Sequence, residues 1–147
     1  MVRVWEGRNL VAHRQDQLRM AGLRVTQARL AVLDVLSEHP HADVEAIAVG
    51  ARHHLGSLST QAVYDVLHAL TEAGLLRRIK LAGAPARFEL ETGDHHHHTA
   101  CRSCSAIADV ECVIGRMPCA QPSVDTGYVI DEAEVTFWGV CPDCQIH

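Results

Sequence analysis

At 147 residues, 48% apolar and with a net charge of −5, the chain can hold one ordinary domain or two small ones. With aromatics at 4%, each small module would have a thin core and would gain from a structural metal. Neither a signal-peptide run nor a membrane-length apolar stretch occurs. The expected compartment is therefore the cytoplasm, where six cysteines are metal ligands or redox switches before they are disulfides.

Charge is uneven. Through Leu90 there are eleven Lys or Arg against nine Asp or Glu, and from Glu91 onward two against nine. The mildly basic front half is compatible with a polyanion and the acidic rear half with cations. Residues 1–8 have no apolar period and read as a loose arm. A first helix is expected from about Asn9 to Met20, ended by Gly22. Thr26 looks like the N-cap of a second helix with Leu30, Leu33 and Leu36 at helical spacing, stopped by Pro40. A third helix follows from about Asp43 to His54, and Gly56 and Ser57 make a turn.

The fourth helix is the informative one. Ser59 suits its N-cap and Gly74 its C′ position, and Val63, Val66, Leu67 and Leu70 form an i, i+3, i+4, i+7 stripe. Its other face presents Thr60, Gln61, Tyr64, Asp65, His68 and Thr71. Two strand-like runs follow, Leu75–Leu81 and Arg87–Leu90, joined by Ala82, Gly83, Ala84 and Pro85. Helices and then a basic hairpin are the order of a winged helix, although an ordinary three-helix bundle has the same apolar stripe. In the winged-helix reading Ser59, Thr60, Gln61 and Tyr64 face DNA, and Arg77 and Arg78 meet phosphates.

The strongest chemical pattern lies further on. Cys101-x-x-Cys104 is followed, after 36 intervening residues, by Cys141-x-x-Cys144. Two such knuckles complete a closed tetrahedral Cys₄ site, which is structural rather than catalytic, and zinc is its expected ion. Cys112 and Cys119 stand outside that pattern and read as small buried hydrophobes. Between Asp94 and the first knuckle runs His95, His96, His97, His98. If the run is extended, His96 and His98 face one way and His95 and His97 the other, which offers imidazoles to two different sites. With Asp94, Glu89 and Asp109 nearby, a mixed N/O set would be permissive toward Fe²⁺, Mn²⁺ or Zn²⁺.

The order of Ala62-Val63-Tyr64-Asp65-Val66-Leu67, Ala73-Gly74-Leu75-Leu76, Phe88-Glu89-Leu90, the histidine run and both cysteine pairs resembles the ferric uptake regulator family, over Gln17 to Cys144. Within it the chain is most similar to the actinobacterial iron- or peroxide-responsive branch that controls catalase-peroxidase genes. The resemblance implies an α+β protein, with an N-terminal winged helix-turn-helix and a small C-terminal α/β dimerisation domain carrying the Cys₄ zinc. The expected boundaries are 1–86, a hinge at 87–92, and 93–147. It implies a homodimeric, metal-dependent repressor of a double-stranded DNA operator, not an enzyme, with no membrane or small organic substrate as partner. The structural Zn²⁺ falls on Cys101, Cys104, Cys141 and Cys144. A regulatory Fe²⁺ or Mn²⁺, for which Zn²⁺ can substitute in vitro, falls on His39, Glu89, His96, His98 and Asp109.

Three departures from the family pattern stand out. Relatives with a further metal site use a His where this chain has Ala133, which leaves a third site on His95 and His97 without that ligand. Asp65 replaces a common Arg, and Gly115 to Pro122 interrupts a stretch that is helical in relatives. Asp109, where many iron sensors have Glu, resembles the peroxide-sensing members, in which iron and peroxide oxidise a ligating histidine, here His39 or His96. Other readings are an iron-level sensor of iron-uptake genes and a thiol switch that ejects zinc on oxidation. A metalloenzyme is a further alternative, which no additional acid/base pair or nucleophile motif supports.

Overall fold

In the computed structural model, which describes residues 3–146, the second, third and fourth helices begin where side-chain oxygens cap them. The chain divides between Glu91 and Thr92 into two units. The first holds α1 (Arg3–Met20), α2 (Gln27–Glu38), β1 (Ala42–Asp43), α3 (Val44–Leu55), α4 (Thr60–Glu72), β2 (Leu76–Ile79) and β3 (Arg87–Leu90). Thr26 Oγ1 accepts from the Arg29 N–H at 3.2 Å, Asp43 Oδ1 from Ala46 at 2.9 Å, and Ser59 Oγ from Ala62 at 3.1 Å. At the end of α4, Gly74 takes φ +74°, and the Leu75 N–H reaches back to the Leu70 carbonyl at 2.9 Å. That 6→1 closure needs a left-handed residue, which glycine supplies without a Cβ clash.

The apolar stripes of α2, α3 and α4 converge on one core. Leu18, Val32, Leu36, Ile47, Val63, Leu67 and Leu70 are completely or almost completely buried, with Phe88 of β3 closing the side. β3 is the middle strand of a three-stranded sheet ordered β1-β3-β2. Residues 87–90, expected within a hinge, are therefore sheet residues, Arg87 and Phe88 paired on both sides and Glu89 and Leu90 with β2. The expected loose arm is also revised. Residues 3–8 continue α1, since a helix propagates cheaply once its first turn exists, while residues 1 and 2 lie outside the described residues.

The second unit holds β4 (His96–Cys101), β5 (Ile107–Glu111), β6 (Thr136–Gly139) and α5 (Pro142–Gln145). β4 is central, antiparallel to β5 and parallel to β6. Residues 112–135 form neither helix nor strand, as the glycine and two prolines between Gly115 and Pro122 suggest. Among the described residues of this unit, only Ala100 and Cys101 are buried apolar residues. So small a core cannot hold a domain unaided. No described helix is long and apolar enough to cross a membrane.

Gly50 shows how closely α2 and α3 approach. A Cβ there would lie 2.7 Å and 3.0 Å from the two methyl carbons of Val35. Alanine gains about 1 kcal/mol of helix propensity, whereas overpacking against a stiff β-branched side chain costs about 1–3 kcal/mol. Gly50→Ala is therefore expected to lower stability, and Val35→Ala in the same chain to recover part of the loss. Denaturant unfolding of the four members of that cycle checks it.

Candidate metal centres and nucleic-acid face

Tight turns build the first centre. β4 ends at Cys101, the chain turns through Cys104, and the segment after β6 brings Cys141 and Cys144 alongside. The four sulfurs lie within 4.8 Å of one another, with Cys104 and Cys141 at 3.7 Å. The Cys141 N–H donates to Cys101 Sγ at 3.3 Å and, with the Cys104 N–H, holds that thiol down at about 6. Cys144, facing the sulfurs of Cys141 and Cys104, is pushed up to about 12. One thiolate is thus favoured and a further one opposed, the charge problem that a divalent cation removes. All six cysteines are free thiols, so the donor set fits a Cys₄ zinc.

The second constellation follows from the pleat of β4 against β5. His98 pairs with Asp109 and His96 with Glu111, so these four residues share one face. His96 Nε2 and His98 Nε2 lie 3.7 Å and 3.5 Å from the same Asp109 oxygen, and the two rings stand 5.0 Å apart. Asp94 reaches His96 Nδ1 at 3.3 Å. The Thr92 hydroxyl donates to Asp94, which holds that carboxyl below its usual range. Two imidazoles and a half-exposed carboxylate make an N/O donor set suited to Fe²⁺, Mn²⁺ or Zn²⁺.

In the first unit the structure corrects one ligand. His39 is the exposed C-cap residue of α2, its N–H donating to the Val35 carbonyl, and its side chain is not brought to Glu89. Pro40 then turns the chain, and His41 takes a left-handed φ of +65° with its N–H on the Phe88 carbonyl at 2.9 Å. That backbone carries the His41 ring to Glu89, Nε2 to Oε2 at 3.1 Å. A non-glycine residue held in this region costs about 1–3 kcal/mol, so the surroundings must favour it strongly. Glu89 is buried on β3 directly opposite Arg77 of β2.

The same register corrects a proposed phosphate contact. Arg77 is mostly buried and lies 3.9 Å from Glu89 and 3.5 Å from Glu91, so its charge is engaged within the unit. Strand alternation leaves Arg78 and Lys80 exposed instead. Ser59, Thr60, Gln61 and Tyr64 are all exposed on α4. The Gln61 amide donates to Asp65 at 2.9 Å, which occupies part of that carboxylate. Arg52, which sequence reasoning missed, donates to the Leu58 carbonyl at 2.7 Å and the Thr60 hydroxyl at 3.1 Å, fixing the start of α4 against α3.

His95 and His97 stack edge to face, 4.8 Å apart, on the other side of the pleat. Cys112 and Cys119 are not inert hydrophobes there. Both are half-buried with sulfurs close to these rings, and Cys119 Sγ lies 3.3 Å from His97 Nε2. Nothing in the spacing of residues 95–119 marks that meeting, because it depends on the strand register and an irregular segment.

Comparison with known proteins adds lineage to this geometry. Residues 20–136 match the model of the "Ferric uptake regulator family". The chain is 56% identical over 131 residues, 89% of each chain, to "Transcriptional regulator FurA" of Mycobacterium tuberculosis. It is 53% identical over 121 residues to "Ferric uptake regulation protein 1" of Mycolicibacterium fortuitum, covering 82% of this chain and 75% of that one. Among solved structures, the Vibrio cholerae ferric uptake regulator superposes with a TM-score of 0.65 at 25% identity, over 86% of this chain and 98% of that one.

In the reduced, metal-free chain one thiol of the Cys₄ group is expected to titrate near pH 6. Cys101 has a depressed folded value, so its share of metal-free stability is present at alkaline pH and is lost as pH falls through about 6. Refilling with Zn²⁺ should abolish that titration at neutral pH and release protons. Thiolate ultraviolet absorbance followed against pH measures both.

Proposed function

Because the chain belongs to the ferric uptake regulator family, we propose that it is a cytoplasmic, homodimeric, metal-dependent repressor that binds a double-stranded DNA operator and acts by binding rather than turnover. The observation that carries this reading is the pair of N/O donor groups. His41 and Glu89 belong to the DNA-binding unit, and His96, His98 and Asp109 to the metal-binding one. Neither group alone is a complete ligand set for a six-coordinate ion. A bound ion shifts the protein toward its DNA-binding arrangement only through its higher affinity for that arrangement.

In a dimer this arrangement sets the spacing of two α4 helices on successive half-sites. Dimerisation is supported by β6, an edge strand whose Phe137 and Trp138 are exposed together with the following Val140, in a unit that buries almost no apolar side chain of its own. Cys101, Cys104, Cys141 and Cys144 hold the structural zinc.

The signal we assign is peroxide, acting on oxidative-stress genes of the catalase-peroxidase kind. Asp109 supports this, both as the Asp variant of the position and because more than half of its side chain is open to solvent. Ferrous iron held here would activate hydrogen peroxide beside an imidazole with no net change in the iron. Peroxide would be the two-electron oxidant: a ring C–H of His41 or His96 would become C–OH or its oxo tautomer, the second peroxide oxygen would leave as water, and the altered ring would no longer serve as a ligand. A thiol switch through the zinc knuckles would leave these histidines intact.

DNA binding upstream of the chain's own gene is expected to require Fe²⁺, Mn²⁺ or Zn²⁺. In the Fe²⁺ form alone it should be lost to peroxide, with one added oxygen mapped by mass spectrometry to His41 or His96. Persistence of both Fe²⁺ and Mn²⁺ complexes through peroxide would sink the peroxide reading in favour of an iron-level sensor. For the wing, Arg78→Ala should weaken binding to all sequences alike and flatten the log–log salt dependence by about 0.9. Arg77→Ala removes the cation between Glu89 and Glu91, and is expected to lower thermal stability while leaving that slope unchanged.

A further inference from the structure

We propose that His95, His97, Cys112 and Cys119 form a second closed metal site, of His₂Cys₂ type, that takes a thiophilic divalent cation, zinc first. The proposal is independent of which signal the protein senses and of the N/O site, since its four donors all belong to the second unit.

The strand register assembles it. His97 lies opposite Val110 and His96 opposite Glu111, and one further step along the same register sets His95 across from Cys112. Residues opposite one another in an antiparallel pair share a face. His95, His97 and Cys112 therefore lie on the side of the sheet away from His96, His98 and Asp109. Cys119 arrives from the irregular segment after β5, its sulfur 3.3 Å from His97 Nε2. One donor atom from each of the four lies within 4.8 Å of all the others. A tetrahedral zinc with two nitrogens and two sulfurs needs donor separations of about 3.3–3.8 Å, so small side-chain adjustments suffice.

The surroundings of His95 point to a ligand independently. Both of its ring nitrogens are shut off from solvent, and neither has a hydrogen-bond partner. Burying an imidazole's polar atoms without partners is costly, and a coordinate bond satisfies one of the two.

Donor chemistry selects the ion. Two thiolates and two imidazoles, with no carboxylate among them, favour zinc over the harder Fe²⁺ and Mn²⁺, and four protein ligands leave no open position. The site is therefore a fastening and not a sensor. Ala133, where a histidine ligand would have been needed for a third site, lies beside this set, its carbonyl 4.0 Å from Cys119 Sγ. An ion here would tie the middle of the irregular stretch between β5 and β6 both to β4 and to the approach of β6. That stretch has no secondary structure and little buried surface of its own to hold it.

The test uses the full chain, reduced, stripped of metal and refilled with Co²⁺, whose thiolate-to-cobalt absorbance reports sulfur ligation and ignores N/O sites. The wild type should bind two thiolate-ligated Co²⁺ per protomer. Cys112→Ser/Cys119→Ser should bind one, losing about a third of that absorbance because two of the six thiolates are gone. Native mass spectrometry of the zinc-filled proteins should show the same difference of one ion. Should that double variant not fold, His95→Ala keeps every thiol and should weaken only this ion's affinity by about tenfold or more, a loss that removing even an outer-shell partner can cause. Unchanged absorbance and ion count in Cys112→Ser/Cys119→Ser, or unchanged affinity in His95→Ala, would overturn the proposal. So would a Cys112–Cys119 disulfide in protein prepared without air.

Discussion

The second unit depends on the pleat of one strand. β4 carries a run of identical donors, and because successive side chains leave a strand on opposite sides, four neighbouring histidines are divided into two pairs about 5 Å across. What each pair becomes is decided by β5. It delivers Asp109 to one face, and Cys112, one residue beyond its end, falls to the other. A slip of one residue in that pairing would put oxygen where sulfur belongs and exchange the metal preferences of the two faces. Here register is chemistry.

Around that strand the two units answer the same problem differently. The first assembles three amphipathic helices and a small sheet around Ile47, Val63, Leu67 and their neighbours, and it owes its order to hydrophobic burial. The second has almost nothing apolar to bury and instead concentrates thiols and imidazoles. Coordination energy is folding energy in such modules, so their integrity follows metal supply, pH and redox state in a way that a hydrophobic core does not. The acidic excess after Glu91, visible in composition alone, belongs with this reliance on cations.

What was legible in the sequence was local. Thr26, Ser59 and Gly74 announced helix ends because caps depend on residues within one turn, and the two Cys-x-x-Cys pairs announced a centre because each knuckle is complete in four residues. The errors in the candidate sites concern which way a side chain faces. His39 and His41 are two positions apart, and only the left-handed turn after Pro40 decides that the second reaches Glu89. Arg77 and Arg78 are adjacent, and only the pairing of β2 with β3 decides that the first is held by carboxylates and the second is exposed. Cys112 and Cys119 carry no spacing signature, so their proximity to His97 had to come from the fold.

The parallel pairing of β4 with β6 has a consequence for how the chain acquires its structure. The most extensive contacts in the first unit join elements that follow one another closely, α2 with α3 and β2 with β3, and contacts of short range form early and fast. β4 must wait for a strand more than thirty residues downstream, as the pairing of His98 with Thr136 requires, and must close a long unstructured loop against chain entropy. Cations binding both ends would favour that closure, and maturation of the second unit would then depend on metal availability at the time of folding. A newly made molecule would accordingly pass through a stage in which its helical half is already formed while its metal-reading half is still being wired.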